Sequence, residues 1–485
     1  MNQDRIVRWA GTVFSTLALV CASVCIVDAV NALRAPVQLD YEEGSILNAG
    51  LRIVQGLTPY PDPHSWPVVL NPYGPIPYLL VAALVKTFGV SFTAPRIAIV
   101  LCGVAVAALL LILLRHFGCG GHTAAGFAAL FLCVPVIRDW IVLLRVDLIG
   151  LALVLAGLCV FFLASDRWFM ATALFVAALF VKYTFLAAPA TCALLLVTKK
   201  EWKRLGLMAS TGAGLALVGF VTAQVWSGGV FAFHMFQTHP DPFRLSSYFE
   251  ELVDLFWDIP VLCGLAVLGL LGDAWRRRLS PTGLYLLMSL VGALTRGKQG
   301  SNSNHIFEVA AAVCLCAGVT WKLVAAWLKT KGAALVSPLL LSGLAAALLA
   351  SFSLKLRNVD SSGCRDAYAY LQTKGNRVLS ENVGVLLLSG KSVLLSNPYI
   401  YAQLVTRAGW SDEPLRERLR RREFDVVILP DREEGTFAPS ERWTQGVLSE
   451  IQQNYHLDKQ QFDCKEAELF FLPGEQIPRA MGTRR

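Results

Sequence analysis

The chain has 485 residues, of which 55% are hydrophobic and only 16% charged, a composition that excludes an ordinary soluble domain, a disordered scaffold and a nucleic-acid binder. Its formal charge of +8, from 43 basic and 35 acidic residues, therefore has to be read loop by loop across a membrane. The length leaves room for one polytopic bundle and a modest soluble domain.

In chain order, the apolar run from about Trp9 to Val27 follows Arg5 and Arg8. It is long for a signal-peptide core and the stretch near position 34 is a weak cleavage site, so it reads as a retained first helix. The segment Pro75 to Gly89 carries Pro75, Pro77 and Lys86 and reads as an interfacial stretch rather than a span. Further apolar runs lie near 97–114, 123–137, 148–164, 169–181, 184–197, 205–225, 259–272, 281–294, 306–321 and 333–352, which makes about eleven spans. With the N-terminus inside, the cytoplasmic segments hold 14 basic residues against 4 acids, and the outer loops up to position 308 hold 10 against 12. That asymmetry supports a cytoplasmic N-terminus.

After the last span the composition changes, dividing the chain into a membrane module over 1–352 and a soluble α/β domain over 353–485, which an odd span count places outside. Short β-rich runs occur at Arg377 to Ser380, Ser392 to Leu395, Asp425 to Leu429 and Glu468 to Leu472, with a basic amphipathic helix at Asp412 to Arg422. Ten of the twelve cysteines lie in or beside apolar runs, where a thiol behaves as a small hydrophobe. Cys364 and Cys464 lie in the outer domain and are able to pair in an oxidising compartment.

The first outer loop carries Asp40, Tyr41, Glu42, Glu43 and Gly44, and residues 43 to 55 have the apolar spacing of a short amphipathic helix on the membrane surface. Other unusual polar groups fall on the same side: Arg145 and Asp147 at the entrance to a span, Lys182 within an apolar stretch, His234, His239, Asp241 and Arg244 in a third loop, and the run from Arg296 to His305. Ionisable groups at membrane depth are expensive and point to function. His234 and His239 alone are a weak metal signal. Acids, cations and membrane helices together suit attack on a lipid-linked phosphate ester, with a carboxylate taking a proton from the attacking hydroxyl and cations holding the phosphate leaving group.

These residues resemble the GT-C superfamily of polytopic glycosyltransferases, in particular the bacterial branch related to aminoarabinose transferase and protein O-mannosyltransferases. The resemblance rests on Asp40 to Gly44, Gly56 to Tyr60, Asn71-Pro72-Tyr73-Gly74-Pro75, Arg145-Val146-Asp147, Lys182 and Gly300 to Glu308. It implies an all-α membrane bundle with a large first outer loop, acting as an inverting transferase with a polyprenyl-phosphate sugar as donor. The first-loop acid would be the general base. Arg145, Lys182, Arg296 and Lys298 would hold the donor phosphate, Asp147 belongs to the same motif, and Asn302, Asn304 and His305 would bind sugar or acceptor. Asp40-Tyr41-Glu42-Glu43 departs from the adjacent Asp-Glu of relatives, so Glu42 and Glu43 both remain open as the base. Some relatives need a divalent metal such as Mg or Mn and others do not, which leaves no cofactor assigned.

The expected partners are the polyprenyl-phosphate sugar, membrane lipid and an envelope lipid, glycan or protein acceptor. The expected location is a bacterial inner membrane, with the C-terminal domain extracytoplasmic. A flippase or transporter for a lipid-linked saccharide is the alternative of a different class, disfavoured by the lack of an obvious internal repeat. A polysaccharide polymerase or ligase using a diphosphate-linked donor is the nearer one.

Overall fold

The computed structural model describes residues 3–33, 35–333, 335–351, 362–430, 442–464 and 466–474. Helix dominates. Among the described residues, four helices are long and apolar enough to cross a membrane, Trp9–Leu33, Thr93–His116, Trp202–Trp226 and Ser303–Thr330, and a bent pair counted as one span raises the number to five. Shorter apolar helices include Pro75–Phe88, Gly121–Cys133, Asp147–Leu163 and Ala187–Thr198. Each apolar run read as a span coincides with a helix, with two differences. The run 123–137 is interrupted where Val134 becomes extended and Pro135 starts a new short helix, because proline has no N–H for the preceding turn and pushes its predecessor out of helical geometry. The segment between the runs 205–225 and 259–272 contains an amphipathic helix, Leu245–Asp258, that meets Pro260–Trp275 at 109°, with Pro260 opening the second helix.

Contacts divide the chain into two units that are discontinuous in sequence. One comprises Met1–Arg34, Arg96–Val221 and Pro242–Asn358, the other Ala35–Pro95, Thr222–Asp241 and Val359–Arg485. In the first, the N-terminal helix packs on Gly121–Cys133, and Pro260–Trp275 and Pro281–Gly292 both pack on Phe307–Thr330.

The second unit holds a four-stranded sheet. Strands β1 (Val378–Ser380), β2 (Val426–Pro430), β3 (Tyr455–Cys464) and β4 (Glu466–Pro473) lie in the order β1-β2-β4-β3, with β1 parallel to β2 and the remaining pairs antiparallel. Leu379, Val427, Leu429, Ile451 and Phe471 form its core together with Val68 and Leu70. The helix expected at Asp412 to Arg422 forms as Glu413–Arg420, burying Leu415 and Leu419 while Arg416 and Arg420 each reach Glu450 at 3.1 Å. Three of the four expected strands form. The run Ser392 to Leu395 does not: its pairing is a single bridge from Leu395 to Val68, flanked by the Val68 amide on the Leu394 carbonyl and the Ser396 amide on the Val68 carbonyl. Cys364 is disulfide-bonded, the side chain of Cys464 lies outside those described, and the other ten cysteines are not in disulfides.

The expected amphipathic helix after the N-terminal helix spans Glu43–Val54. Its first two turns, Glu43 through Gly50, are buried, packed on Pro75–Phe88 and on the short helix Val383–Leu388, rather than lying with one face open on a surface. Two glycines permit this. A Cβ on Gly50 would meet Val81 at 2.5 Å, and one on Gly44 would meet the Gly384 amide nitrogen at 2.7 Å and Val383 at 2.8 Å. Gly44→Ala is therefore expected to lower stability by about 1–3 kcal/mol despite the better helix propensity of alanine, measured by thermal unfolding in detergent.

Candidate active site

Two groups of polar side chains stand out, one in each unit. The first surrounds the start of the Glu43–Val54 helix. Asp40 makes a local turn, its Oδ1 accepting from the Glu42 amide at 3.3 Å. Glu43 is fully buried, and its Oε2 accepts from the Leu39 amide at 2.5 Å and the Asp40 amide at 3.1 Å, so this carboxylate ties the incoming chain to the helix. Glu42 differs from both. Its Oε1 accepts from Asn397 Nδ2 at 2.8 Å, and its Oε2 is buried with no hydrogen-bond partner among the described residues. A buried carboxylate oxygen left without a donor is costly, and it is the atom of this cluster open to receive a proton.

Around Glu42, the Tyr41 hydroxyl donates to Asn397 Oδ1 at 3.1 Å and accepts from the Tyr399 amide at 2.9 Å. Burial, with the charges of Glu381 and Glu42, holds the Tyr41 phenol well above its ordinary range, so it stays protonated. The Arg442 guanidinium lies over the Tyr41 ring at 4.3 Å and is paired with Glu381, which also accepts from Trp443 Nε1 at 2.9 Å. Ser45 donates to the Ser396 carbonyl at 2.6 Å. Tyr399 donates to Asp241 Oδ1 at 2.9 Å, and His239 Nδ1 lies 3.4 Å from Asp241 Oδ2.

His234 has a structural position: it accepts from the Asn71 amide at Nδ1 (3.3 Å) and donates from Nε2 to the Pro61 carbonyl (2.8 Å). Burial holds its imidazole down at about 4, with the Pro61 hydrogen bond pulling the other way. Because the folded value lies below the unfolded value of about 6.5, the neutral ring stabilises the fold fully above that pH. The contribution falls away as the pH drops toward about 4. Wild type is expected to lose on the order of 2–4 kcal/mol more than His234→Gln between pH 7 and 4, read from paired thermal melts.

The second group lies in the membrane unit. Asp147 opens the helix Asp147–Leu163, where a negative charge is favoured, and Lys182 sits in the break between Trp168–Leu179 and Ala187–Thr198. Lys182 Nζ donates to Asp147 Oδ1 at 2.8 Å, and Asn304 Nδ2 donates to Oδ2 at 2.8 Å. Lys182 Nζ also lies 3.3 Å from His305 Nε2, and His305 Nδ1 lies 2.7 Å from Thr295 Oγ1. These residues, with Thr184, Ser289 and Glu308, line a small, partly open cleft. Asn304 Oδ1 and Glu308 Oε1 are buried there without a hydrogen-bond partner among the described residues, and Glu308 lies beside the Tyr285 hydroxyl.

The structure thus brings Asp147, Lys182, Asn304 and His305 together and leaves the other expected residues outside that cleft lining. Arg145 is buried and stacks over Trp140 at 5.0 Å. Arg296 pairs with Glu251 at 2.8 Å, Lys298 pairs through its backbone with Phe243, and Asn302 is exposed. Sequence reasoning gave no individual place to Glu308, Glu251 or Asn397. An acid inside the apolar run 306–321 was a signal for Glu308, and Asn before Pro398 marked only a helix cap. Among the described residues no group of three or more His, Cys, Asp or Glu side chains is arranged to hold a metal ion.

The apolar helices support a multi-pass membrane protein, and its fold is similar to those of two solved membrane proteins. The chain is similar to ArnT, the aminoarabinose transferase, from Cupriavidus metallidurans bound to undecaprenyl phosphate, with a TM-score of 0.63, 12% identity, and coverage of 93% of this chain and 97% of that one. The apo state of the same ArnT gives a TM-score of 0.60 at 12% identity over the same shares. The archaeal oligosaccharyltransferase AglB from Archaeoglobus fulgidus, in complex with an inhibitory peptide and a dolichol-phosphate, gives 0.52 at 12% identity, covering 90% of this chain and 72% of that one. At such identities the likeness is one of fold. No family model and no curated protein sequence matches the chain.

Proposed function

We propose that this chain is an inverting glycosyltransferase that moves a sugar from a polyprenyl-phosphate donor to an envelope lipid, glycan or protein acceptor at the outer face of a bacterial inner membrane. The observation that carries the reading is the Glu42 carboxylate, held by Asn397 at one oxygen and left open at the other. The fold shared with two kinds of glycosyltransferase, solved with lipid phosphates, supports it.

In this reaction the acceptor hydroxyl attacks the anomeric carbon, the bond from that carbon to the phosphate oxygen breaks, and polyprenyl phosphate leaves. Glu42 takes the hydroxyl proton as general base. Lys182 is assigned to the donor phosphate, Asn304 and His305 to donor or acceptor hydroxyls, and Arg145 and Lys298 are further cations for the lipid phosphate. The orientation follows from the basic residues of the cytoplasmic loops, which leave the C-terminal residues extracytoplasmic.

The test is release of polyprenyl phosphate by the purified protein from a panel of polyprenyl-phosphate hexoses and pentoses, with a cell-envelope extract as acceptor. Release from one donor supports the reading and names the sugar. A chelator arm reads any dependence on Mg or Mn. Folded protein that releases nothing from any donor overturns it in favour of a diphosphate-linked donor or of transport.

A further inference from the structure

We propose that Asn397, from the C-terminal part of the chain, is the positioning residue that fixes the Glu42 carboxylate with one oxygen held and the other free for the acceptor proton. The proposal rests on the reading of Glu42 as the base.

Asn397 is fully buried at the N-cap of the helix Pro398–Arg407. Its Oδ1 accepts from the Ile400 amide at 3.0 Å and from the Tyr41 hydroxyl at 3.1 Å. With both donors on the oxygen, the amide has one orientation, because a flipped group would set its NH2 against the Ile400 N–H. Nδ2 therefore points to Glu42 Oε1, at 2.8 Å. The Tyr41 proton is fixed in turn, since its oxygen accepts from the Tyr399 amide at 2.9 Å and its ring lies under the Arg442 guanidinium. A charge-assisted hydrogen bond from a side chain whose own position is locked on three sides restricts the carboxylate to one rotamer. General-base catalysis needs that restriction, because the proton is taken only within hydrogen-bond reach of a correctly aligned oxygen.

A helix-capping asparagine with no part in the chemistry makes a different prediction, and Asn397→Asp separates the two. Aspartate caps a helix as well as asparagine does and still accepts from Ile400 and Tyr41, so the fold is expected to hold. When ionised it cannot donate to Glu42 and sets a second negative charge beside it. The other titratable groups around Glu42 are Asp40, Glu43, Tyr41 and Tyr78, with Glu381 and Arg442 reached through Tyr41; all are unchanged in the variant.

The experiment compares release of polyprenyl phosphate by full-length wild type, Asn397→Asp and Asn397→Ser across pH, with thermal melts of each. For the aspartate variant a fall of roughly 10–100-fold in kcat near neutrality is expected, with the acid limb of the pH profile displaced upward by about one unit. Serine, which also caps but is too short to reach Glu42, is expected to lose rate without that displacement. Wild-type kcat and pH profile in a folded aspartate variant, or an unchanged rate in serine should aspartate fail to fold, overturn the proposal. Wild type that releases nothing, or a Glu42→Gln variant with full activity, instead removes the base reading and this inference with it.

Discussion

Glu42→Gln is expected to cut sugar transfer by about 10²–10⁴-fold while leaving thermal stability close to that of wild type. The two side chains are isosteric, and the glutamine oxygen can still accept from Asn397 Nδ2, the contact that Glu42 makes at 2.8 Å. What changes is the buried Oε2 that has no partner among the described residues: it becomes an NH2 group, which cannot take a proton. Glu43→Gln is the contrasting variant. Its carboxylate bonds the Leu39 and Asp40 amides and is fully buried, so weakening those charge-assisted bonds is expected to cost about 1–2 kcal/mol of stability. Residual transfer by the folded fraction would remain. Initial rates and thermal melts on the same preparations check both. Equal rates in Glu42→Gln and wild type would remove Glu42 from the reaction.

The second large effect is expected at Lys182. Lys182→Met leaves Asp147, 2% exposed, with Asn304 as its remaining hydrogen-bond donor. Removing one member of a buried ion pair typically costs about 3–5 kcal/mol because the other charge stays behind uncompensated. Adding Asp147→Asn removes that charge, so the double variant is expected to recover most of the lost stability. If Lys182 holds the donor phosphate, the recovered protein will still turn over donor at least about tenfold more slowly at low donor concentration. A double variant with both stability and kcat/KM restored would make the pair purely structural. A double variant no more stable than Lys182→Met would show that the 2.8 Å ion pair does not govern stability.

Much of the site's chemistry was legible in the residues, and its pairings were not. Lys182 in an apolar stretch, Asp147 at the head of a span and Asn304 with His305 in a glycine-flanked loop are each anomalous where they stand, because charge and amide groups are costly in a membrane segment. Their meeting around one cleft depends on how the helix breaks and the outer loop are placed in space. Arg296 looked like a free cation in sequence, yet Glu251 of the Leu245–Asp258 helix neutralises it. Nothing local pairs residues 45 positions apart. The strand expected at Ser392 to Leu395 failed for a related reason. Its β-rich residues find one bridge, to Val68, because strand character is realised only where a partner edge is available.

The sequence by itself determined the membrane class, the helix positions and the acidic start of the first-loop helix, because hydropathy, proline positions and charge at helix ends act over a few residues. Only the tertiary structure distinguished the acids within that start. A linear reading leaves Glu42 and Glu43 both open as the base. Backbone amides of Leu39 and Asp40 occupy Glu43, while Asn397, 355 positions away, binds one oxygen of Glu42. Which carboxylate keeps an open oxygen is a matter of donors brought from distant segments, and a periodic pattern carries no record of such donors.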